Sequence, residues 1–323
     1  TAGASNIALK FVAGMTYTLG SATTSAISFV STSTTVQTVD FAGKTSGNVT
    51  YNGVGGSWQM TGTHNTGTTA TINLTRGTLN TNGQTISTGL FNSSNSNTRT
   101  LTLRASAITI AGTGSAWNFA TTTGLTFTAN TASITLSGAS ATFTGGGLTY
   151  GGTVSFTGSG TQIITNSNSF ANLTRTGTAV KTDVFRLNAN QTVTGTLTLN
   201  GNSAINRLLI RSNVVGSART ITNTGATMTW SNVDFRDIKL SVAFNASAIV
   251  GGSGNAGGNT NITFTTAANQ YMKTAVSVNW SASNWYTTSG GSTSGRVPLA
   301  QNTAIFDALS ITAGSLTITQ DMP

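Results

Sequence analysis

The sequence predicts an all-β fold: a β-solenoid rod of the parallel β-helix type, followed by a small second β-module. Three observations carry that expectation. Brief segments in which apolar residues alternate with Thr or Ser recur along most of the chain, the period-two pattern of a half-buried strand. Gly and Asn punctuate these segments and supply the positive-φ positions of tight turns. Glu is absent, Thr is abundant, and no long segment carries a helical apolar face, so helices are disfavoured.

The elements follow in order. Residues 7–39 read as ALKFV, YTLG, ISFV and TVQTV, separated by Ser/Thr runs. Residues 48–62 and 147–158 echo one another, with a partial third echo, GSAWNF, at 114–119. Such weak self-similarity marks a stacked architecture. Trp58 and Trp117 fall within these echoes and are expected in the interior or between subunits. Asn82-Gly83, flanked by alternating residues, signals a tight turn. Residues 121–161 show the unit most clearly, in the triplets Leu125-Thr126-Phe127, Ile134-Thr135-Leu136, Ala141-Thr142-Phe143 and Val154-Ser155-Phe156. Its interior candidates are Leu125, Phe127, Ile134, Leu136, Phe143, Val154 and Phe156. Strand-like pieces then continue through Val184, Leu197, Ile210, Ile221 and Phe235.

A β-sandwich would also contain many short strands, but it closes within ~100 residues. Here they run on without a boundary, so stacking at ~4.8 Å per coil is the more economical solution. Coils of roughly 20–25 residues would number about 11–13 over residues 1–265 and give a rod of about 50–60 Å. The pattern breaks near Thr265, after the Gly/Asn stretch GGSGNAGGNTN at 251–261. Residues 266–323 are therefore expected to begin a second β-module, marked by Trp280, Trp285 and Tyr286.

Composition narrows the chemistry. Charged residues make up 7% of the chain, far below the roughly 25% of ordinary soluble domains. The net charge is +9, but the 15 basic residues form no run in sequence, so no nucleic-acid partner is expected; a weak attraction to anionic surfaces, including an anionic glycan, is. With no Cys, thiol catalysis and cysteine-ligated metals are excluded. No apolar run approaches the ~20 residues of a membrane helix, so no membrane insertion is expected. The absence of an initial Met and the ending at Met322-Pro323 suggest a processed product or a piece of a longer protein.

There are six carboxylates, all Asp. Only Asp234 and Asp237 are close in sequence, and a glycosidase needs two acids about 5–9.5 Å apart. Residues three apart on a strand point to opposite faces, so the favoured reading pairs Arg236 with one Asp and uses the other to close a turn. The lone histidine, His64, sits among Gly62, Thr63, Asn65 and Thr66 and is expected in a loop. No catalytic residue, metal ligand or cofactor is assigned. The one candidate contact surface is Trp280, Trp285 and Tyr286, which could stack against sugar rings, although Trp in a β-module more often packs in the core. Stacked Asn, Ser and Thr side chains are expected to form ladders along the rod.

Several stretches resemble a known type: GTLNTNGQ at 77–84, FNSSNSNTRTLTL at 91–103, GNSAINRLLIRSNVVG at 201–216, VDFRDI at 233–238, and NWSASNWYTTSGGSTSGRVPLAQNTAIFD at 279–307. Together they look like the long, repetitive β-helical structural proteins of tailed bacteriophages, with related segments in bacterial surface proteins. The resemblance rests on turn motifs rather than catalytic signatures. It implies a non-enzymatic virion protein, a fibre, spike or capsid-surface appendage involved in host-surface attachment. Such a protein would sit on the virion surface or outside the cell. Its partners would be further copies of itself, as a trimer or end to end, other virion proteins, and a host-surface glycan. The alternatives are a bacterial secreted adhesin or surface filament subunit and, behind these, a glycan-degrading tailspike.

Overall fold

The computed structural model describes residues 6–19 and 25–322. Among them every regular element is a strand, and the chain winds into a parallel β-solenoid of about 10 turns. Each turn pairs with the next through parallel ladders, so one side chain stacks on its counterpart a turn away. One inward column runs through Val49, Ile72, Phe91, Trp117, Phe143 and Ile164. A second runs through Ile86, Ile108, Ile134, Val154, Leu173 and Leu197. A third joins Trp58, Leu79, Leu101 and Phe127. Phe127 then meets Tyr150 ring to ring at 5.4 Å, and Tyr150, Phe170 and Val193 carry the column on.

All but Phe127 of these side chains are buried. Burying each contributes about 1.5–3 kcal/mol, which is how a chain this poor in ion pairs holds together. Of the predicted interior residues, Ile134, Leu136, Phe143, Val154 and Phe156 are fully buried, while Leu125 and Phe127 pack half-buried against the core. Their strand, Leu125–Thr128, pairs on one edge only, with Arg99–Thr102. Trp58 and Trp117 both lie in the interior. The Trp117 indole donates to the Tyr150 hydroxyl at 3.0 Å, and that hydroxyl donates to the Gly145 carbonyl at 2.9 Å. Outside the column one rung of the expected amide stacking is present: Asn92 donates to Asn73 at 3.0 Å.

Two expectations change and one holds. The rod has about 10 turns, not 11–13, because some turns carry long corner loops; Thr196 pairs with Thr227, for example. Asn82 (φ 55) and Gly83 (φ 74) form the expected tight turn, here a corner between successive strands of a coil whose ladders are parallel. His64 is no loop residue. It opens the strand His64–Asn80, fully buried, with its ring stacked on Phe41 at 4.0 Å.

Thr260–Thr263 is the last strand of the large sheet. Beyond it, Asn269–Met272 pairs antiparallel with Trp285–Tyr286 and parallel with Thr303–Ile305, and Val278–Asn279 pairs with Ile318–Thr319. These small sheets lie against the C-terminal turns of the rod. Gln301 reaches across, accepting from the Asn255 amide at 2.8 Å and donating to the Ser253 and Thr265 carbonyls at 2.9 and 2.8 Å.

Candidate functional site between the rod and the terminal sheets

Three strands stacked on successive turns build the floor of the site: Val184–Leu187, Leu208–Ser212 and Thr227–Arg236. Their alternation puts Phe185, Ile210 and Phe235 in the core and turns the residues on either side outward. Two outward columns result. Val184, Leu209 and Asp234 form one; Arg186, Arg211 and Arg236 form the other. The terminal segment covers the end of this face and encloses a cleft of about 470 Å³. Leu209, Asp234 and Arg236 line it from the rod; Trp280, Asn302 and Gln320 line it from the terminal segment.

Of the predicted sugar-contact residues, only Trp280 reaches the cleft lining. Trp285 is buried in the terminal sheets, donating its indole N–H to the Trp280 carbonyl at 2.8 Å. The two indoles meet edge to face at 4.7 Å, with Phe306 against both. Tyr286, in the same strand as Trp285, is half-buried and does not line the cleft.

The carboxylates are all engaged. Asp234 takes a forked contact from Arg207, whose Nε lies 2.8 and 3.0 Å from its two oxygens and whose Nη2 lies 2.9 Å from one of them. Arg207 spends its remaining donors on the Val233, Gly251 and Gly252 carbonyls. Asp183, also in the lining, accepts from the Gly160 and Thr178 amides and sits 3.6 Å from buried Arg175. Asp237 turns away into a corner at φ 56, where it accepts from the Gly216 amide at 3.0 Å and lies 4.0 Å from Arg236. Asp234 and Asp237 thus point to different places, as their spacing predicts. Arg236 pairs with one of the two, Asp237, as expected, and Asp237 also sits in the turn; Asp234 is held by Arg207 instead of closing it.

The cations are less well satisfied. The Nε groups of Arg186, Arg236 and Arg296 are buried without a hydrogen-bond partner among the described residues. Arg211 donates to the Ser212 carbonyl at 3.2 Å. Burial, reinforced by the like charges of Arg236 and Arg186, holds the Arg211 pKa below its ordinary value. Sequence reading missed this column because it looked for runs of basic residues. The signal that finds it is an Arg after a core Phe or Ile, returning at one constant interval: Arg186, Arg211, Arg236.

Among the described residues, no group of three or more His, Asp or Glu gathers in metal-binding geometry. No helix there is long and apolar enough to cross a membrane. Compared with protein-family models, curated proteins and solved structures, the chain matches none of them.

Proposed function

We infer that the chain is a non-enzymatic structural protein of a phage virion, a fibre, spike or capsid-surface appendage that takes part in host-surface attachment. The observation that carries this reading is the unbroken stack of core columns. It makes a stiff rod whose side faces are free to present repeating polar groups, while the terminal sheets give one end a distinct surface. The resemblance of the turn motifs to phage β-helical proteins supplies the virion setting. Self-association end to end would pair the outer edges of the first and last described turns.

The test is co-sedimentation. Antibody against the chain should label the phage particle fraction, and a map of the native particle should show the rod on its surface. Recovery with bacterial envelopes would assign the chain to an adhesin or surface filament instead.

One observation favours the glycan-degrading alternative: Asp183 and Asp234 line the same cleft. Both are bound to arginine or backbone amides, which leaves neither placed to protonate a leaving group. Release of new reducing ends from a polysaccharide, abolished by Asp234→Asn, would establish that alternative.

A further inference from the structure

The Arg186, Arg211 and Arg236 column stands out from the rest of the rod. Their strands are adjacent, so the three residues repeat at about 4.8 Å along the rod axis. Like charges directly opposite one another in a ladder repel. Among the described residues the only carboxylate within 4.0 Å of these arginines is Asp237, at 4.0 Å from Arg236 and already bound to the Gly216 amide; Asp234, on the same face, is taken by Arg207. Two of the three guanidinium groups also hold a buried Nε–H with no partner. Buried donors in native structures are mostly satisfied, and although unpaired ones such as Trp58 Nε1 and Arg175 Nε occur elsewhere in the chain, these two share one outward column of like charge.

We propose that the face bearing Arg186, Arg211 and Arg236, with the cleft at its end, binds a linear acidic polysaccharide. The acidic groups lie on successive guanidinium groups, and one sugar ring sits in the cleft against Trp280. Arginine's planar fork matches a carboxylate or sulfate with two parallel hydrogen bonds. A column that repeats along the axis suits a polymer better than a single ion. Asn302 and Gln320 add amide groups for hydroxyls where the chain enters the cleft. Single-stranded nucleic acid, the other linear polyanion, is held by a succession of stacking aromatics; the cleft offers one ring. This inference rests on the attachment reading only for its biological setting.

The experiment uses the purified chain and calorimetric titration with polygalacturonate, neutral dextran of similar length, and an oligothymidylate. Polygalacturonate should bind, should weaken as salt is raised, and should bind more tightly than the other two. Arg211→Gln should lower its affinity about tenfold or more, the loss of a charge-assisted fork. Arg211→Lys, which keeps the charge without the fork, should fall between; it decides the matter if Arg211→Gln does not fold. Arg104→Gln, at an exposed corner outside the column, should bind as the unaltered chain does. Absence of polygalacturonate binding at low salt, equal binding of dextran, or unchanged affinity on replacing Arg211 would each overturn the proposal. Tighter binding of oligothymidylate would overturn it in favour of nucleic acid. These outcomes are independent of co-sedimentation with particles, so this inference and the virion assignment fail separately.

Discussion

His64 shows how strand parity overrides local polarity. Its neighbours are small and polar, yet the strand's alternation turns His64, Thr66, Ala70 and Ile72 inward together. The ring stacks on Phe41, and Nε2 lies 3.2 Å from the Ser46 hydroxyl, while Nδ1 has no partner among the described residues. Burial pushes the imidazole pKa from 6.5 down to about 3. The unfolded chain therefore takes up a proton below about pH 6.5 that the folded chain refuses until about pH 3. In that window the unfolded state binds more protons, so stability is complete above it and declines as pH falls. The slope is about 1.4 kcal/mol per pH unit, or roughly 2 kcal/mol between pH 6 and 4.5, before carboxylates begin to contribute. Because the chain has a single histidine, its ring proton resonances report the site directly. They should not shift between about pH 7.5 and 4.5. His64→Phe should flatten the pH dependence of the urea midpoint over the same interval. A ring titrating near its ordinary value would refute the assignment.

The corners of the coil are decided between turns rather than within them. Gly89, Gly112, Gly138 and Gly158 stack at one corner. A Cβ on Gly112 would lie 2.4 Å from the Gly89 carbonyl oxygen, one on Gly138 2.0 Å from that of Gly112, and one on Gly158 2.0 Å from that of Gly138. Gly83 differs: it has φ +74 and nothing within 4 Å of a built Cβ. Gly138→Ala should thus cost about 2–3 kcal/mol through forced separation of stacked turns. Gly83→Ala should cost only about 1 kcal/mol of backbone strain. Thermal melts of the two variants check the order, and equal losses would contradict it. The contrast also shows what is legible in a sequence of this kind. Alternation exposed the strands, their inward residues and the all-β stack, because parity is local. The glycines read alike as turn formers, since contact with a carbonyl one turn away depends on vertical register, and ragged loops conceal that register. The same concealment inflated the number of turns, whereas the arginine column, at a constant interval of 25 residues, was legible to a search for spacing rather than for runs. Trp280 was legible as a surface candidate, whereas the buried position of Trp285 follows from sheets formed by strands too short to show a pattern.

At the scale of the whole molecule, the terminal sheets are tied to the rod by a few polar contacts, and those contacts shape the cleft. Lys181 on the rod holds Ser281 at 2.8 Å and forms an ion pair with Asp321, which also accepts from the Ser281 amide at 2.9 Å. Partial desolvation opposes ionisation of Asp321, but Lys181 and the Ser281 hydroxyl and amide outweigh it and hold the pKa at about 2. Gln301 supplies three further bonds to rod backbone around residues 253–265. Removing its amide strands backbone groups at the joint, at about 1–3 kcal/mol. Gln301→Ala should therefore loosen the terminal sheets without unwinding the rod. Amide hydrogens of Asn269–Met272 and Thr303–Ile305 should exchange faster, while those of Ser133–Leu136 keep their protection. Asp321 adds a pH dependence of known sign. Its folded pKa lies below the unfolded value of 3.8, so its contribution is present above that pH and is lost as pH falls toward about 2. Asp321→Asn should speed the exchange of the terminal strands at neutral pH relative to the unaltered chain, with Ser133–Leu136 unaffected. If Gln301→Ala or Asp321→Asn instead speeds exchange equally along the whole rod, the terminal sheets are part of one cooperative unit, and the cleft cannot open independently of the fold.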